Sequence, residues 1–166
     1  MKLRIGSSLD IHRFKEGDSV ILGGVKIPHN KSLLGHSDAD VVLHVVAESI
    51  LGALSLGDLG KHFPDTDPSY KGVSSSTLVK EVMKLAKKQN YFINNIDISI
   101  VAEAPMMAPH VESMRLHISK LLETEIDNVS VKATRGEKLG FIGREEGIMA
   151  FATVLMVNTQ YELKKL

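Results

Sequence analysis

The sequence predicts an α+β fold, a mixed β-sheet with helices packed on one of its faces. Strand-like and helical segments follow in the order β-hairpin, α, α, β, α, β, β, which suits a two-layer sandwich. The first long helical segment, residues 39–54, is apolar nearly all round, so we expect it to be buried. The last strand, 148–157, is apolar on both faces, which is typical of a strand in mid-sheet or at a subunit interface. At 166 residues, the chain is expected to form a single domain spanning 1–166.

The composition excludes several classes of protein. Lys and Arg number 20, as do Asp and Glu, so no basic excess indicates binding to nucleic acid or to an anionic membrane. The absence of cysteine excludes disulfides, thiolate nucleophiles and Cys-type zinc sites. Any metal must therefore be held by His, Asp, Glu or backbone oxygen.

The chain gives two indications of its location. Its first residues contain no apolar signal-peptide core. The longest apolar run, 148–157, is half of the ~20 residues that a membrane helix requires. We expect a cytoplasmic protein of a bacterium, or a protein of an organelle stroma if a transit peptide has been removed.

The first half of the chain is predicted as follows. Residues 3–14 form a long strand, and 19–22 pairs with 25–27 in a hairpin around Gly23-Gly24. The buried helix begins near Ala39, capped by Ser37 or Asp38, and residues 57–68 form a loop.

The second half alternates helices and strands. A second helix follows three serines at 74–76, and Pro109 suits the first position of a third helix. Strands are predicted over 96–101, 129–133 and 148–157.

Two histidines and one carboxylate could hold a metal. Alternate residues of a strand share a face, so Asp10 and His12 can converge on one ion or form a surface hydrogen-bonding pair. His44 lies in the apolar helix and is either a core histidine paired with Asp40 or a third ligand. Three protein ligands with one open position are typical of catalytic zinc.

Two polar loops are further candidates. Residues 57–68 contain three acids, which could hold Mg²⁺ or substrate hydroxyls or could simply stabilise turns. Residues 132–141 combine cations, a hydroxyl, glycine and Glu137, which suits a diphosphate bridged by a divalent cation.

Five motifs together identify a family. They occur in order over residues 4–157 as D-x-H, H-S-D-x-D-x-x-x-H, G-D-x-G-x-x-F-P-D-T-D-P, A-P-x-M-x-P-H and K-A-T-x-x-E-x-L-G-F. This pattern resembles the 2-C-methyl-D-erythritol 2,4-cyclodiphosphate synthases. The resemblance implies a catalytic domain, a phosphorus–oxygen lyase of the non-mevalonate isoprenoid pathway. Such an enzyme converts 4-diphosphocytidyl-2-C-methyl-D-erythritol 2-phosphate to the cyclic diphosphate and CMP.

The resemblance also implies cofactors and an assembly. It assigns zinc, one ion per subunit, to Asp10, His12 and His44, and a second ion, Mg²⁺ or Mn²⁺, to Glu137. It implies a homotrimer whose sheets face a threefold axis and whose active sites lie between subunits. An isoprenoid diphosphate in the axial cavity would contact Arg144.

The resemblance further assigns residues to catalysis and substrate binding. Besides the metal ligands, the implied catalytic residues are His36 and Thr134. The implied substrate contacts are His36, Ser37, Asp58, Gly60, Phe63, Asp65, Ala102, Pro105, Ala108, Thr134, Arg135, Phe141 and Arg144. A metal-dependent phosphohydrolase and a non-catalytic trimer with structural zinc are the rival interpretations.

Overall fold

The computed structural model describes residues 2–35, 37–64 and 72–158. Seven strands are present in this part of the chain: β1 (Lys2–Glu16), β2 (Ser19–Leu22), β3 (Val25–Pro28), β4 (Lys31–Leu33), β5 (Tyr91–Val101), β6 (Val129–Thr134) and β7 (Gly147–Asn158). Its α-helices are α1 (Val41–Ala53), α2 (Leu59–His62), α3 (Ser75–Lys88), α4 (Val111–Leu122) and α5 (Gly140–Gly143), with 3₁₀ turns at Ala108–His110 and Ile126–Asn128.

Five strands form one mixed sheet in the order β4-β1-β7-β5-β6. Strand β7 is antiparallel to both β1 and β5, and β5 is parallel to β6. The predicted mixed sheet is confirmed, and so is the mid-sheet alternative for the last strand. The predicted hairpin is also present, as the separate two-stranded sheet β2–β3.

One face of the sheet is covered by helices, as predicted. The inward residues of β7 are completely buried: Ile148, Ala150, Ala152, Val154 and Met156. They pack in one continuous core with α1, α3 and α4. This core fixes the helical layer over the centre of the sheet.

The opposite face carries an exposed apolar patch on β1 and β7. We call it the outer stripe, and its members are Leu3, Ile5, Leu9, Ile11 and Phe151, which are 40–70% exposed. The register places Leu9 directly beside Phe151. Monomeric proteins seldom expose contiguous apolar patches of this kind, so the stripe indicates an interaction surface.

Helix α1 begins two residues later than predicted. Ala39 has φ 57°, a left-handed conformation that is incompatible with the helix interior. Asp40, not Ser37 or Asp38, is the N-cap, and its carboxylate accepts from the backbone N–H groups of Val42 and Leu43.

Asp40 also joins α1 to the hairpin. Its two carboxylate oxygens accept from the backbone N–H groups of Gly23 at 2.9 Å and Gly24 at 2.6 Å. The side chain is fully buried, and burial raises the pKa of Asp40 to about 6 despite these four donors. One carboxylate therefore satisfies donors from two separate elements.

Helix α1 lies unusually close to β1 at Gly6. A Cβ atom at Gly6 would lie 1.9 Å from the carbonyl oxygen of Ser49 and 2.5 Å from the nitrogen of Ala53. Only glycine permits this approach. The contact fixes the distance between the strand and the helix that carry the candidate metal ligands.

The remaining differences from prediction are local. The short helix α2 lies within the predicted loop 57–68, of which residues 65–68 are outside the described part. Pro109 lies in the 3₁₀ turn that precedes α4. The predicted third helix corresponds to α4 and begins at Val111. Within the described residues, the helices are too short or too polar to span a membrane.

We expect Asp40→Ala to lower the free energy of unfolding by at least about 2 kcal/mol, because it removes a helix cap and leaves two further backbone donors without an acceptor. Ser74→Ala is the matched control, since Ser74 is an exposed N-cap of α3 that serves one backbone donor. Urea unfolding of both variants measures the difference. Equal losses in the two variants would contradict the dual role of Asp40.

Candidate metal centre

The structure brings Asp10, His12 and His44 together. Asp10 and His12 lie on the helix-facing side of β1, and His44 lies on α1 above them. One potential ligand atom from each residue lies within 4.8 Å of the others. We call these three residues the triad.

The triad is compact and largely buried. Asp10 Oδ2 lies 3.3 Å from His44 Nδ1 and 3.5 Å from His12 Nδ1. The side chains of His12 and His44 are 14% and 16% exposed, and that of Asp10 is 31% exposed. The partial opening at Asp10 allows access to the triad from solvent.

The donor set suits a divalent cation. His12 Nδ1 is buried and has no hydrogen-bond partner within the described residues. Burial lowers the pKa of His12, which favours the neutral imidazole that a metal requires. Burial alone would raise the pKa of Asp10, but the His44 hydrogen bond and the His12 charge outweigh it and hold the pKa below its usual value. Two imidazoles and one carboxylate are typical zinc ligands.

His44 has its second contact at Ser37, not at Asp40. Ser37 Oγ lies 3.2 Å from His44 Nε2. The predicted alternative of a core histidine paired with Asp40 is wrong, because the Asp40 carboxylate is directed toward the hairpin and the first turn of α1. Only the backbone of Asp40 bonds His44, through the regular helical hydrogen bond.

Glu48 is a neighbour that the sequence analysis missed. It lies one helical turn after His44, and its carboxylate accepts from Ser8 Oγ at 2.8 Å and from Leu59 N at 3.4 Å. Glu48 thereby connects β1 to the start of α2. Its i,i+4 spacing from His44 in an otherwise apolar helix was the available signal.

The predicted hydroxyl-binding residues lie in and beside α2. Asp58 is the N-cap of α2, and its Oδ1 accepts from Lys61 N at 2.9 Å, so one of its carboxylate oxygens stabilises this turn. Gly60 lies within α2, and Phe63 ends it. Two predicted residues, His36 and Asp65, lie outside the described residues.

A second group of predicted residues lines one cavity of about 200 Å³. It includes Ala102, Pro105, Ala108, Thr134 and Arg135. Glu103, Met106 and Met107 complete much of the wall. The loop after β5 and the end of β6 form this cavity. It lies at the β6 edge of the sheet, three strand spacings from β1.

The triad and this cavity are well separated within one chain. Asp10 is in register with Ala150, Ala150 with Ile100, and Ile100 with Ala133 beside the cavity. Three strand spacings of about 4.8 Å place about 14 Å between Asp10 and Ala133. Ala150 and Ile100 are completely buried, so the core fills the space between the two sites.

Three other predicted residues lie around α5. Glu137 has φ 51° and lies in the loop before α5, and it is not part of the metal-binding cluster found among the described residues. Phe141 lies in α5, half-buried. Arg144 follows α5 and forms an exposed ion pair with Glu146 at 2.7 Å.

We expect His44→Ala to abolish zinc binding, because two remaining ligands cannot hold the ion against water. Zinc content after dialysis, measured by mass spectrometry, should be near one ion per chain in the wild type and near zero in the variant. His62→Ala is the control, since His62 contacts the Leu56 carbonyl and not the triad. Full zinc occupancy in His44→Ala would remove His44 from the ligand set.

Comparison with known proteins gives a consistent result. The model of the YgbB family matches residues 3–157. The 2-C-methyl-D-erythritol 2,4-cyclodiphosphate synthase of Bacillus cereus is 57% identical over 92% of this chain and 97% of its own length. The IspF–CDP complex of Plasmodium falciparum has 36% identity and a TM-score of 0.83, covering 94% of this chain and 96% of that one. The bifunctional IspDF of Campylobacter jejuni has a TM-score of 0.89 at 36% identity. The match covers 93% of this chain and 42% of that protein. The chain therefore belongs to the YgbB family.

Proposed function

We propose that this chain converts 4-diphosphocytidyl-2-C-methyl-D-erythritol 2-phosphate to 2-C-methyl-D-erythritol 2,4-cyclodiphosphate and CMP, in the non-mevalonate isoprenoid pathway. The observation that carries the proposal is the triad, in which the buried Nδ1 of His12 lies beside the Asp10 carboxylate and has no hydrogen-bond partner among the described residues. Relatives more than half identical to this chain bear the name of this synthase. A cytoplasmic location accords with these bacterial relatives.

The proposed metals are zinc on Asp10, His12 and His44 and Mg²⁺ or Mn²⁺ at Glu137. When bound, such ions neutralise and orient a diphosphate. Glu137 has a left-handed backbone, a strained conformation that is common in functional loops. The neighbouring Lys138 N donates to Glu103 Oε1 at 2.8 Å, which ties the Glu137 loop to the wall of the cavity.

The protein's contribution to the reaction is orientation. The substrate 2-phosphate is close to a dianion at neutral pH, since its second pKa is about 6, so it needs no general base. Its oxygen attacks the β-phosphorus, and the bond to the α-phosphate oxygen breaks to release CMP. Holding both groups in line within one substrate supplies the proximity that the reaction requires.

The substrate contacts are assigned from the family resemblance. His36 and Ser37 contact the methylerythritol phosphate, and Asp58 and Gly60 contact its hydroxyls. The cytidine and its phosphate side are assigned to the 200 Å³ cavity, to which Thr134 and Arg135 supply a hydroxyl and a guanidinium. Phe63, Asp65 and Phe141 complete the proposed contacts. An isoprenoid diphosphate near Arg144 is a further proposed ligand.

A homotrimer with shared active sites is part of the proposal. The buried core separates the triad from the cytidine cavity of the same chain, so a cavity from a neighbouring chain is better placed to complete each site. The outer stripe supplies an apolar surface for this association. Burial of one large apolar side chain contributes about 1.5–3 kcal/mol, so five such residues can support a stable interface.

Phosphorus NMR of the products tests the reaction. The protein is incubated with the cytidine substrate, zinc and Mg²⁺, and His44→Ala serves as the inactive control. We expect a cyclic diphosphate together with CMP. A linear bisphosphate would show a phosphohydrolase, and no turnover by the zinc-loaded wild type would favour a structural zinc protein.

We expect Phe151→Asp to dissociate or destabilise the trimer and to lower activity by at least about 10-fold, because it places a charge on the central strand of the outer stripe. Leu116→Asp is the matched control, since Leu116 is also exposed, at 47%, but lies on α4. Sedimentation velocity and circular dichroism of both variants separate loss of assembly from loss of folding. An active, intact trimer in Phe151→Asp would exclude the outer stripe as the interface.

A further inference from the structure

We propose that Ser75, in the first turn of α3, is a positioning residue for the metal centre, acting through Asp38 and Ser37 on His44. The inference rests on the metal site of the proposed function. Neither Ser75 nor Asp38 touches the triad, and the sequence analysis assigned them no role in the site. What connects them to it is a chain of hydrogen bonds.

The chain begins at the buried Ser75 side chain. Ser75 Oγ donates to Asp38 Oδ1 at 2.5 Å, and Ser75 N donates to Asp38 Oδ2 at 3.1 Å. Ser75 Oγ also lies 3.5 Å from Ser37 Oγ, which in turn lies 3.2 Å from His44 Nε2. Ser75 is completely buried, so water does not compete for these bonds.

The chemistry of the groups fixes the direction of the first proton and favours one direction for the others. The Asp38 carboxylate can only accept, so the Ser75 hydroxyl proton is directed to it. Ser75 Oγ can then accept from Ser37 Oγ, which lies 3.5 Å away. Ser37 Oγ, which also accepts from Ala39 N at 3.2 Å, can in turn accept from His44 Nε2, and this arrangement favours the tautomer protonated at Nε2.

This direction leaves His44 Nδ1 as the ligand atom. Nδ1 lies 3.3 Å from Asp10 Oδ2, and a proton or a cation must lie between them. In the neutral tautomer with its proton on Nε2, the Nδ1 lone pair of His44 is directed at Asp10. Outer-shell partners of this kind typically change metal affinity by 10–100-fold.

The neighbouring serines provide an internal control. Ser74 Oγ caps α3 through Ser76 N at 3.3 Å, and Ser76 Oγ contacts His117 at 2.9 Å. Three successive hydroxyls thus have three separate partners. Only the Ser75 hydroxyl leads to the triad among the described residues.

Zinc affinity of the metal-free protein, measured by competition with a chelator, tests the proposal. We expect Ser75→Ala to weaken zinc binding by about 10-fold. Ser74→Ala should lower the melting temperature through its lost cap but leave zinc affinity unchanged. Asp38→Asn is a second variant that should also weaken zinc binding. Its amide has one acceptor oxygen and cannot accept from both Ser75 N and Ser75 Oγ as the two carboxylate oxygens do.

Cobalt supplies a readout that a general loss of stability does not change. Tetrahedral Co²⁺ absorbs in the visible region, and we expect the band of Co²⁺-loaded Ser75→Ala to be shifted or weakened relative to Ser74→Ala. Tight zinc binding by the wild type with unchanged affinity and spectrum in Ser75→Ala would overturn this inference alone. A wild type that binds neither metal would overturn the metal site and this inference together.

Discussion

The fold depends on the long antiparallel pairing of β1 with β7. This ladder runs from Lys2 opposite Asn158 to Arg13 opposite Gly147. Because side chains alternate along a strand, the pairing decides at once which residues of β1 face the helices and which face outward. A slip of one residue would turn Asp10 and His12 outward and the apolar stripe inward. The candidate metal ligands and the outer stripe therefore depend on the same register.

Helix α1 carries this arrangement into the third dimension. Its start is held by the Asp40 carboxylate and its C-terminal half by the close contact at Gly6, so His44 is positioned from both sides. The polar residues around it follow the same logic. Glu48 bonds β1 and α2, while Ser37 connects His44 to the N-terminal end of α3. The site is supported by elements that are distant in sequence.

Part of the fold could be predicted from sequence, because apolar runs and alternation indicate strands. Strands over 3–14 and 148–157 were predicted, the second in mid-sheet or at a subunit interface, and both are present. The alternating apolar residues of the first strand lie on its exposed face, so alternation alone did not identify the side that faces the helices. The triad was recognisable because Asp10 and His12 share a strand face and because a histidine in an apolar helix requires a polar partner. Local spacing left Asp40 as an alternative partner of His44, and only the tertiary fold shows that Asp10 is its neighbour. The same reason hid Ser75, whose link to Asp38 joins positions 37 residues apart.

Gly6 gives the site an unusual kind of vulnerability. Because Gly6 has no side chain, β1 and α1 approach until their backbones are in van der Waals contact. This contact sets the spacing between the candidate ligands that the two elements carry. A small cation tolerates little variation in ligand distance. A contact between two backbones holds that distance more rigidly than a contact between flexible side chains would. A methyl group added at Gly6, four residues before Asp10, would force β1 and α1 apart and so move the candidate ligands. Substitution of Gly6, which contacts no candidate ligand, is therefore expected to disturb the candidate metal site.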